Sequence, residues 1–291
     1  FSLTDRKEVT AGNYTANEGS VSVSGNTVNI TTKDGKKSTI SFSNGKLNSW
    51  NYNGTDLIYA APDFNSYRDI DNDRWDGSFQ KSTSTSVTSK LTKEGNVAKM
   101  SMSGGNIYTI DYIIYPDATI DMKVTFNSRS NYRRVGLGMQ FTGGFENVEY
   151  YARGPWSNYV DRKTGSYLGR YVTTVDDMIE ENIHPQTYGD HQDLRELTLT
   201  NATNGIALNV KTGDQVAFSL SHYDETKWCG TGDDMWSDGL HWYDLTRNDQ
   251  IFAHFDYFQR GLGNNSCGGS QALSKYQCPT SGSYSYTLRF T

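Results

Sequence analysis

The sequence predicts an all-β protein made of two large packed antiparallel sheets, and three observations carry that prediction. Tyr, Phe, Val, Thr and Ser are abundant, Gly is frequent and Pro is scarce, which is the composition of many strands joined by tight turns. Apolar and polar residues alternate with period two in run after run, each bounded by Gly-Asn, Asp-Gly or Gly-Gly turn signals. No segment sustains the i, i+3, i+4, i+7 apolar stripe of an amphipathic helix.

Along the chain, VSVSGNTVNITTKDGKKSTISF from Val21 to Phe42 reads as consecutive antiparallel strands around Gly-Asn and Asp-Gly turns. The same texture returns from Ser86 to Phe126, broken by Glu-Gly-Asn, Gly-Gly-Asn and Pro-Asp-Ala turns. Further strands are predicted at Arg134 to Phe141, Leu194 to Thr200, Gly205 to Lys211, Gln215 to Tyr223, Ile251 to Gln259 and Ser283 to Phe290. Thr174 to Asn182 and Glu225 to Met235 hold at most a helical turn, and Tyr151 to Tyr171 reads as loop-like. No Pro- or Ser-rich linker divides the chain, so residues 1–291 are expected to form one domain, a fragment of a larger enzyme.

The formal charge of −6 supplies no basic surface for phosphates, which argues against a nucleic-acid partner. No run approaches the roughly 18 apolar residues of a spanning helix, so a membrane-free protein is expected. The chain begins with Phe1, reads as a fragment or processed form, and leaves the compartment open. Its richness in Asn, Ser, Thr and Tyr leans toward an extracytoplasmic, periplasmic setting. Cys229, Cys267 and Cys278 form neither a disulfide framework nor a metal pattern. A Cys267–Cys278 bridge is one option and free thiols are the plainer one.

Hydrolysis of a glycoside needs two carboxyls across the sugar, and the acidic candidates are Asp69, Asp71 and Asp73, the pair Glu180 and Glu181, and the pair Asp233 and Asp234. If Asp69 to Asp73 were extended, alternate carboxylates would share a face and need a cation or basic partners. The plainer reading of RDIDNDRWDG is a turn whose Asp and Asn side chains bind nearby amides, and the fit to an EF-hand loop is poor. His184, His191, His222, His241 and His254 are the other acids and bases, and a His–Glu pair in a cleft would suffice for a sugar epimerase. No G-x-S-x-G elbow, P-loop or HExxH occurs. Among Trp75, Trp156, Trp228, Trp236 and Trp242, the polar neighbours of Trp75 and Trp236 make those two the better candidates for exposed stacking on a sugar.

Five ordered segments then point to a family. Tyr151-Ala-Arg-Gly-Pro-Trp-Ser-Asn-Tyr-Val-Asp-Arg162 resembles the G-x-G-P-x-E-N-Y-x-D-R signature of the C-terminal domain of glycoside hydrolase family 2 β-galactosidases. Asp71-Asn72-Asp73 resembles that domain's D-N-D loop, and Arg134 to Gln140 its R-I-G-L strand. Pro185, Gln186, Gly189 and Arg195 resemble its P-Q-x-x-G-x-R-x-x-x-R segment, and Gln259 to Cys267 its M-G-I-G-G-D-x-S-W loop.

The resemblance implies a β-supersandwich of the galactose-mutarotase type. It also implies that the catalytic glutamates and the magnesium ligands belong to a barrel outside this chain, so no catalytic residue, metal or cofactor is assigned here. Asp71, Asn72, Asp73, Arg74 and Trp75 would edge the substrate cleft, with Trp236 and Cys267 beside them. Cys267 stands where the family has a Trp platform, and a thiol offers far less stacking surface. Other departures are Ser157 for the signature Glu, Asp69-Ile70 for the usual Pro, and His191 for an Arg. Arg153, Gly154, Pro155, Tyr159, Asp161 and Arg162 read as scaffolding, with Pro155 fixing φ and the Asp-Arg pair supplying charge-assisted bonds. The expected partners are the rest of a parent enzyme, for which a homo-oligomer is one option, and a galactoside substrate. The rival readings are a stand-alone aldose 1-epimerase and a carbohydrate-binding module using Trp75, Trp236 and Asp71 to Asp73.

Overall fold

A computed structural model describes residues 9–16, 18–70, 87–127, 132–183, 185–227, 241–263 and 272–291. Among them the strands are, in chain order, β1 (Ser20–Ser24), β2 (Thr27–Thr31), β3 (Lys37–Ser43), β4 (Lys46–Tyr52), β5 (Thr55–Asp56), β6 (Ile58–Asn65), β7 (Val87–Glu94), β8 (Val97–Gly104) and β9 (Tyr108–Ile114). They continue with β10 (Ile120–Asn127), β11 (Arg134–Phe141), β12 (Asn147–Gly154), β13 (Tyr167–Thr174), β14 (Glu196–Thr200), β15 (Ala207–Lys211), β16 (Ala217–Ser221), β17 (Ile251–Gln259) and β18 (Ser283–Phe290). No described helix is long and apolar enough to cross a membrane.

These strands hydrogen-bond into three antiparallel sheets. The first is the meander β1-β2-β3-β4-β5, the second the nine-stranded order β13-β12-β14-β15-β18-β10-β9-β8-β7, and the third the four-stranded order β16-β17-β11-β6. Alternation explains how they stack, because β3 and β9 bury every second residue and so present one apolar face each. Phe42 and Trp50 of the first sheet meet Tyr112 and Phe290 of the second at ring separations of 5.4 and 5.9 Å. Phe64 and Phe255 of the third sheet meet Phe126 and Phe290 of that same second sheet at 5.7 and 6.3 Å. The two smaller sheets therefore cover one face of the nine-stranded sheet, lying side by side where Leu57 N donates to Trp50 O at 2.8 Å and Lys46 pairs with Asp63. The result is the all-β sandwich that the alternation predicts, with a core running from Val21 to Phe290.

The strands at Arg134–Phe141, Ile251–Gln259 and Ser283–Phe290 fall where the sequence places them, and the other predicted strands from Leu194 onward begin two residues late. The two expected helical turns reduce to short 3-10 turns at Asp176–Met178 and Glu225–Lys227, and residues 228–235 lie outside the described segments. The loop-like reading of Tyr151 to Tyr171 is corrected, since β12 and β13 take both ends and pair Gly154 with Tyr167. β6 escapes the sequence reading because Pro62 sits within it, and a proline is tolerated there because β6 is an edge strand of its sheet.

The four-stranded sheet has two unlike faces. Leu137, Phe218 and Phe255 point into the core, while period two puts Arg134, Gly136 and Gly138 of β11 on the opposite face, level with His254 and Asp256 of β17 and Ser219 of β16. That opposite face carries the site.

Phe255 is fully buried, and its carbonyl also accepts a bond from Tyr286 Oη at 2.6 Å across the two layers. Phe255→Ala is expected to cost about 3–5 kcal/mol in urea unfolding, because the layers cannot close over the vacated space. A loss below about 1 kcal/mol would show that the layers do not depend on this contact.

Candidate functional site

Arg134 sits fully buried on the outer face of the four-stranded sheet. Its Nε donates to Asp256 Oδ2 at 2.7 Å, its Nη1 to both oxygens of Glu225 at 2.9 and 3.1 Å, and its Nη2 to Ser219 Oγ at 3.4 Å. A side chain on residue 136 would collide with Asp256 Oδ1 and the Phe255 carbonyl, so Gly136 is what lets the Asp256 carboxylate approach β11. Burial pushes the Asp256 carboxyl up to about 6 against the pull of Arg134, and burial likewise raises Glu225.

Connecting segments close over this charge. Thr187 Oγ1 donates to Glu225 Oε2 at 3.0 Å and accepts from Asp69 N at 2.9 Å, while Thr187 N donates to Asp69 O at 2.5 Å. Arg68, also buried, donates to the carbonyls of Arg260 and Gly261. Asp161 accepts from Leu262 N at 3.2 Å and Gly263 N at 2.6 Å, a fit close enough that a side chain at 261 or 263 would strike its carboxylate. Thus the residues leading into 71–86, 228–240 and 264–271 are tied to one another through Asp69, Glu225 and Arg68, and Asp161 clamps the last of them. Asp71, Asn72, Asp73, Arg74, Trp75, Trp236 and Cys267 lie in those three segments, outside the described residues, as do Trp228, Cys229, Asp233 and Asp234, and His184 lies outside them as well.

The signature stretch is bonded mostly to backbone. Arg153 reaches Asp193 Oδ2 at 2.5 Å and Ser166 O at 3.1 Å, and Asn158, fully buried, donates to Arg153 O and Trp156 O and accepts from Gln192 N. The Gly154–Pro155 bond is cis, and a Cβ on Gly154 would press on Tyr150 and Tyr171. Tyr159 is buried, and Arg162 N closes a turn onto its carbonyl at 2.8 Å. His191, at the position of the family's Arg, donates through Nδ1 to Arg153 O at 2.9 Å and stacks on Phe218, and burial lowers it to about 4. It is a neutral structural imidazole. Trp156, by contrast, is 74% exposed, which the polar setting Gly-Pro-Trp-Ser-Asn signals in retrospect.

Two His–Glu pairs meet among the described residues, His222 with Glu146 and His254 with Glu225. His254 Nε2 stands 3.2 Å from Glu225 Oε1 at an open cleft of about 280 Å³ that Asp63, Asn65, Gln140 and Asp224 also line. Tyr67 N donates to Asn65 Oδ1, which turns Asn65 Nδ2 toward His254 Nδ1 at 3.0 Å and leaves the ring proton on Nε2, facing Glu225. Burial, then the charge of Arg134, holds His254 well below its ordinary value. Glu225 and Asp256 share one guanidinium instead of facing each other across open space. A group of candidate metal ligands, Glu146, Asp176 and His222, gathers at another corner.

A large antiparallel sandwich carrying this clamped signature defines an all-β domain. Residues 32–290 match the beta galactosidase small chain family, and the chain belongs to it. A beta-galactosidase of Staphylococcus xylosus is 35% identical over 136 residues, covering 46% of this chain and 13% of the relative. Those of Lactococcus lactis and Streptococcus thermophilus are 28% and 26% identical over 62% and 80% of this chain. The chain spans only 17% and 24% of the length of these two relatives.

Asp190 offers a test of the polar layer. It is fully buried, Gln192 Nε2 donates to its Oδ2 at 2.6 Å, its Oδ1 meets no partner, and burial followed by the charge of Asp256 pushes it up to about 7. Between the usual carboxylate range and about 7 the folded chain holds a proton that the unfolded chain has lost, so this group lowers stability as pH rises through that window. Asp190→Asn removes the effect, whereas the opposing contribution of His191 is common to both proteins. The stability advantage of the variant is therefore expected to widen by on the order of 1–3 kcal/mol between about pH 5 and pH 8 in paired denaturation curves. A pH-independent difference would contradict the buried-acid reading.

Proposed function

We propose that this chain is the C-terminal domain of a retaining β-galactosidase, a wall beside the substrate cleft whose catalytic glutamates and magnesium site belong to the remainder of the enzyme. The observation that carries the proposal is the joining of three loop roots to the Arg134 layer, with Asp161 of the signature clamping the last of them. In this reading Asp71 to Trp75, Trp236 and Cys267 reach the aglycone side of the cleft, and the signature residues hold the root of the Cys267 loop in place. Family membership and the small share of each relative that the chain spans support a parent with further domains. With Cys267 in place of an indole, the sugar loses a flat platform, and the parent's preference shifts toward contacts made by other rings.

The epimerase reading has one observation in its favour, the His254–Glu225 pair in an open cleft. It is the weaker reading because Arg134 and Thr187 occupy both Glu225 oxygens, leaving no basic lone pair committed to an anomeric hydroxyl.

Two assays separate these readings. The purified 291-residue chain is expected to leave a chromogenic β-galactoside intact, and α-galactose to mutarotate at its uncatalysed rate by polarimetry. Turnover of the galactoside would refute the division of labour, and accelerated mutarotation would establish the epimerase. In the whole enzyme, Asp161→Asn weakens two charge-assisted bonds to the loop root and is expected to lower kcat/KM about tenfold, the worth of ~1.5 kcal/mol. An unchanged kcat/KM would detach the signature from the cleft.

A further inference from the structure

Away from the Arg134 layer, three connections meet at one corner of the sandwich. Val175 N donates to Glu146 O at 3.0 Å, which brings the 3-10 turn bearing Asp176 against the β11–β12 connection. Asn248 N donates to His222 O at 2.9 Å, which sets Arg247 beside the end of β16. The ligating atoms of Glu146, Asp176 and His222 then lie within 4.8 Å of one another.

The surroundings of His222 show what this corner lacks. Its side chain has no solvent exposure, its Nδ1 faces Gln250 O at 3.2 Å, and its Nε2 faces Glu146 Oε2 at 2.7 Å, with Asp176 Oδ1 at 4.0 Å. Carbonyl and carboxylate oxygens only accept, and a neutral imidazole carries a single N–H. With that hydrogen on Nδ1, bonded to Gln250 O, Nε2 turns a lone pair toward the Glu146 carboxylate, an arrangement completed by a positive charge shared between the two, a proton or a metal cation. A backbone carbonyl on Nδ1 is also the device that orients a metal-binding imidazole.

Charge and access agree. One neutral imidazole and two carboxylates balance a divalent ion, and an imidazole in the set selects zinc-like metals over calcium or magnesium. The Glu146 and Asp176 side chains are 28% and 56% exposed, which leaves the outer side open to water ligands. Arg247 currently supplies the positive charge, with Nε and Nη2 on Asp176 at 2.8 and 3.1 Å and Nη2 at 3.7 Å from Glu146. Its partly exposed side chain is long enough to swing into solvent.

We propose that Glu146, Asp176 and His222 form a zinc-type divalent cation site for which Arg247 is a built-in competitor. Metal binding there joins the β11–β12, β13 and β16–β17 connections and stabilises the fold by mass action. The test is calorimetric titration of the chelator-treated 291-residue chain with Zn²⁺, alongside melting curves with and without the ion. One-to-one saturable binding and a raised Tm are expected, both lost in Glu146→Gln and in His222→Ala. Arg247→Ala is expected to tighten binding by about tenfold or more, since it removes a cation from the same carboxylates. An ordinary ion-pair network makes the opposite prediction, in which Arg247→Ala only loosens the corner. Absence of saturable binding in both the parent chain and Arg247→Ala, or binding undiminished by Glu146→Gln, would overturn the site. Should His222→Ala fail to fold, Glu146→Gln and Arg247→Ala carry the decision.

Discussion

The guanidinium of Arg134 has no path to water, and much of the outer face of the four-stranded sheet is arranged to make that tolerable. A buried charge of this kind costs several kcal/mol unless paired and hydrogen-bonded, and here the pairing comes from Asp256 on the neighbouring strand and Glu225 on a turn beyond β16. The strand pairing is bent to allow it. Opposite Val135 and Gly136 the register skips Tyr257, the buried–exposed alternation of β17 breaks between Phe255 and Asp256, and both of those residues end up buried on opposite faces. Phe255 serves the apolar core and Asp256 serves Arg134. One irregular pairing thus divides an oily interior from a charged layer.

That division explains which parts of the molecule were legible in its sequence. Runs of β-branched and aromatic residues announce a strand, and β11, β17 and β18 were readable end to end. Arg134 is invisible to the same logic, because a charged residue on an alternating strand reads as solvent-facing, and its two partners lie 91 and 122 residues away. Pro62 hid β6, and the aromatic, Gly-rich texture of Tyr151 to Tyr171 hid the ends of β12 and β13. The signature residues were recognisable by type and spacing, yet nothing local says that Asp161 reaches the amides of Leu262 and Gly263, about a hundred residues on. Glu146, Asp176 and His222 were equally out of reach, since each stands alone in its own connection and only the backbone bonds at Glu146 O and His222 O bring them together.

The layer also suggests why the signature takes the form it does. A loop can be held by apolar packing, but packing tolerates sliding, whereas bonds to backbone amides and carbonyls fix a segment in register. Arg153, Asn158 and Asp161 all spend their polar atoms mainly on main-chain groups or on one neighbouring acid. Gly261 and Gly263 leave the space that the Asp161 carboxylate needs. The donors and acceptors of Arg153, Asn158 and Asp161 are committed within the fold.

Replacing a buried ion pair with oil is often neutral or stabilising, so stability by itself does not account for Arg134, Asp256 and Glu225. What an apolar patch could not supply is direction. Glu225 passes its position to Thr187, Thr187 to Asp69, and Arg68 to the carbonyls of Arg260 and Gly261, so that the roots of three segments are fixed relative to one strand. A hydrophobic substitute would keep the sheet covered and let those roots drift by the ångström that matters at a cleft edge. The charge is therefore best understood as positional: its desolvation is borne by a thick sandwich core in order that segments far apart in sequence are fixed relative to one strand.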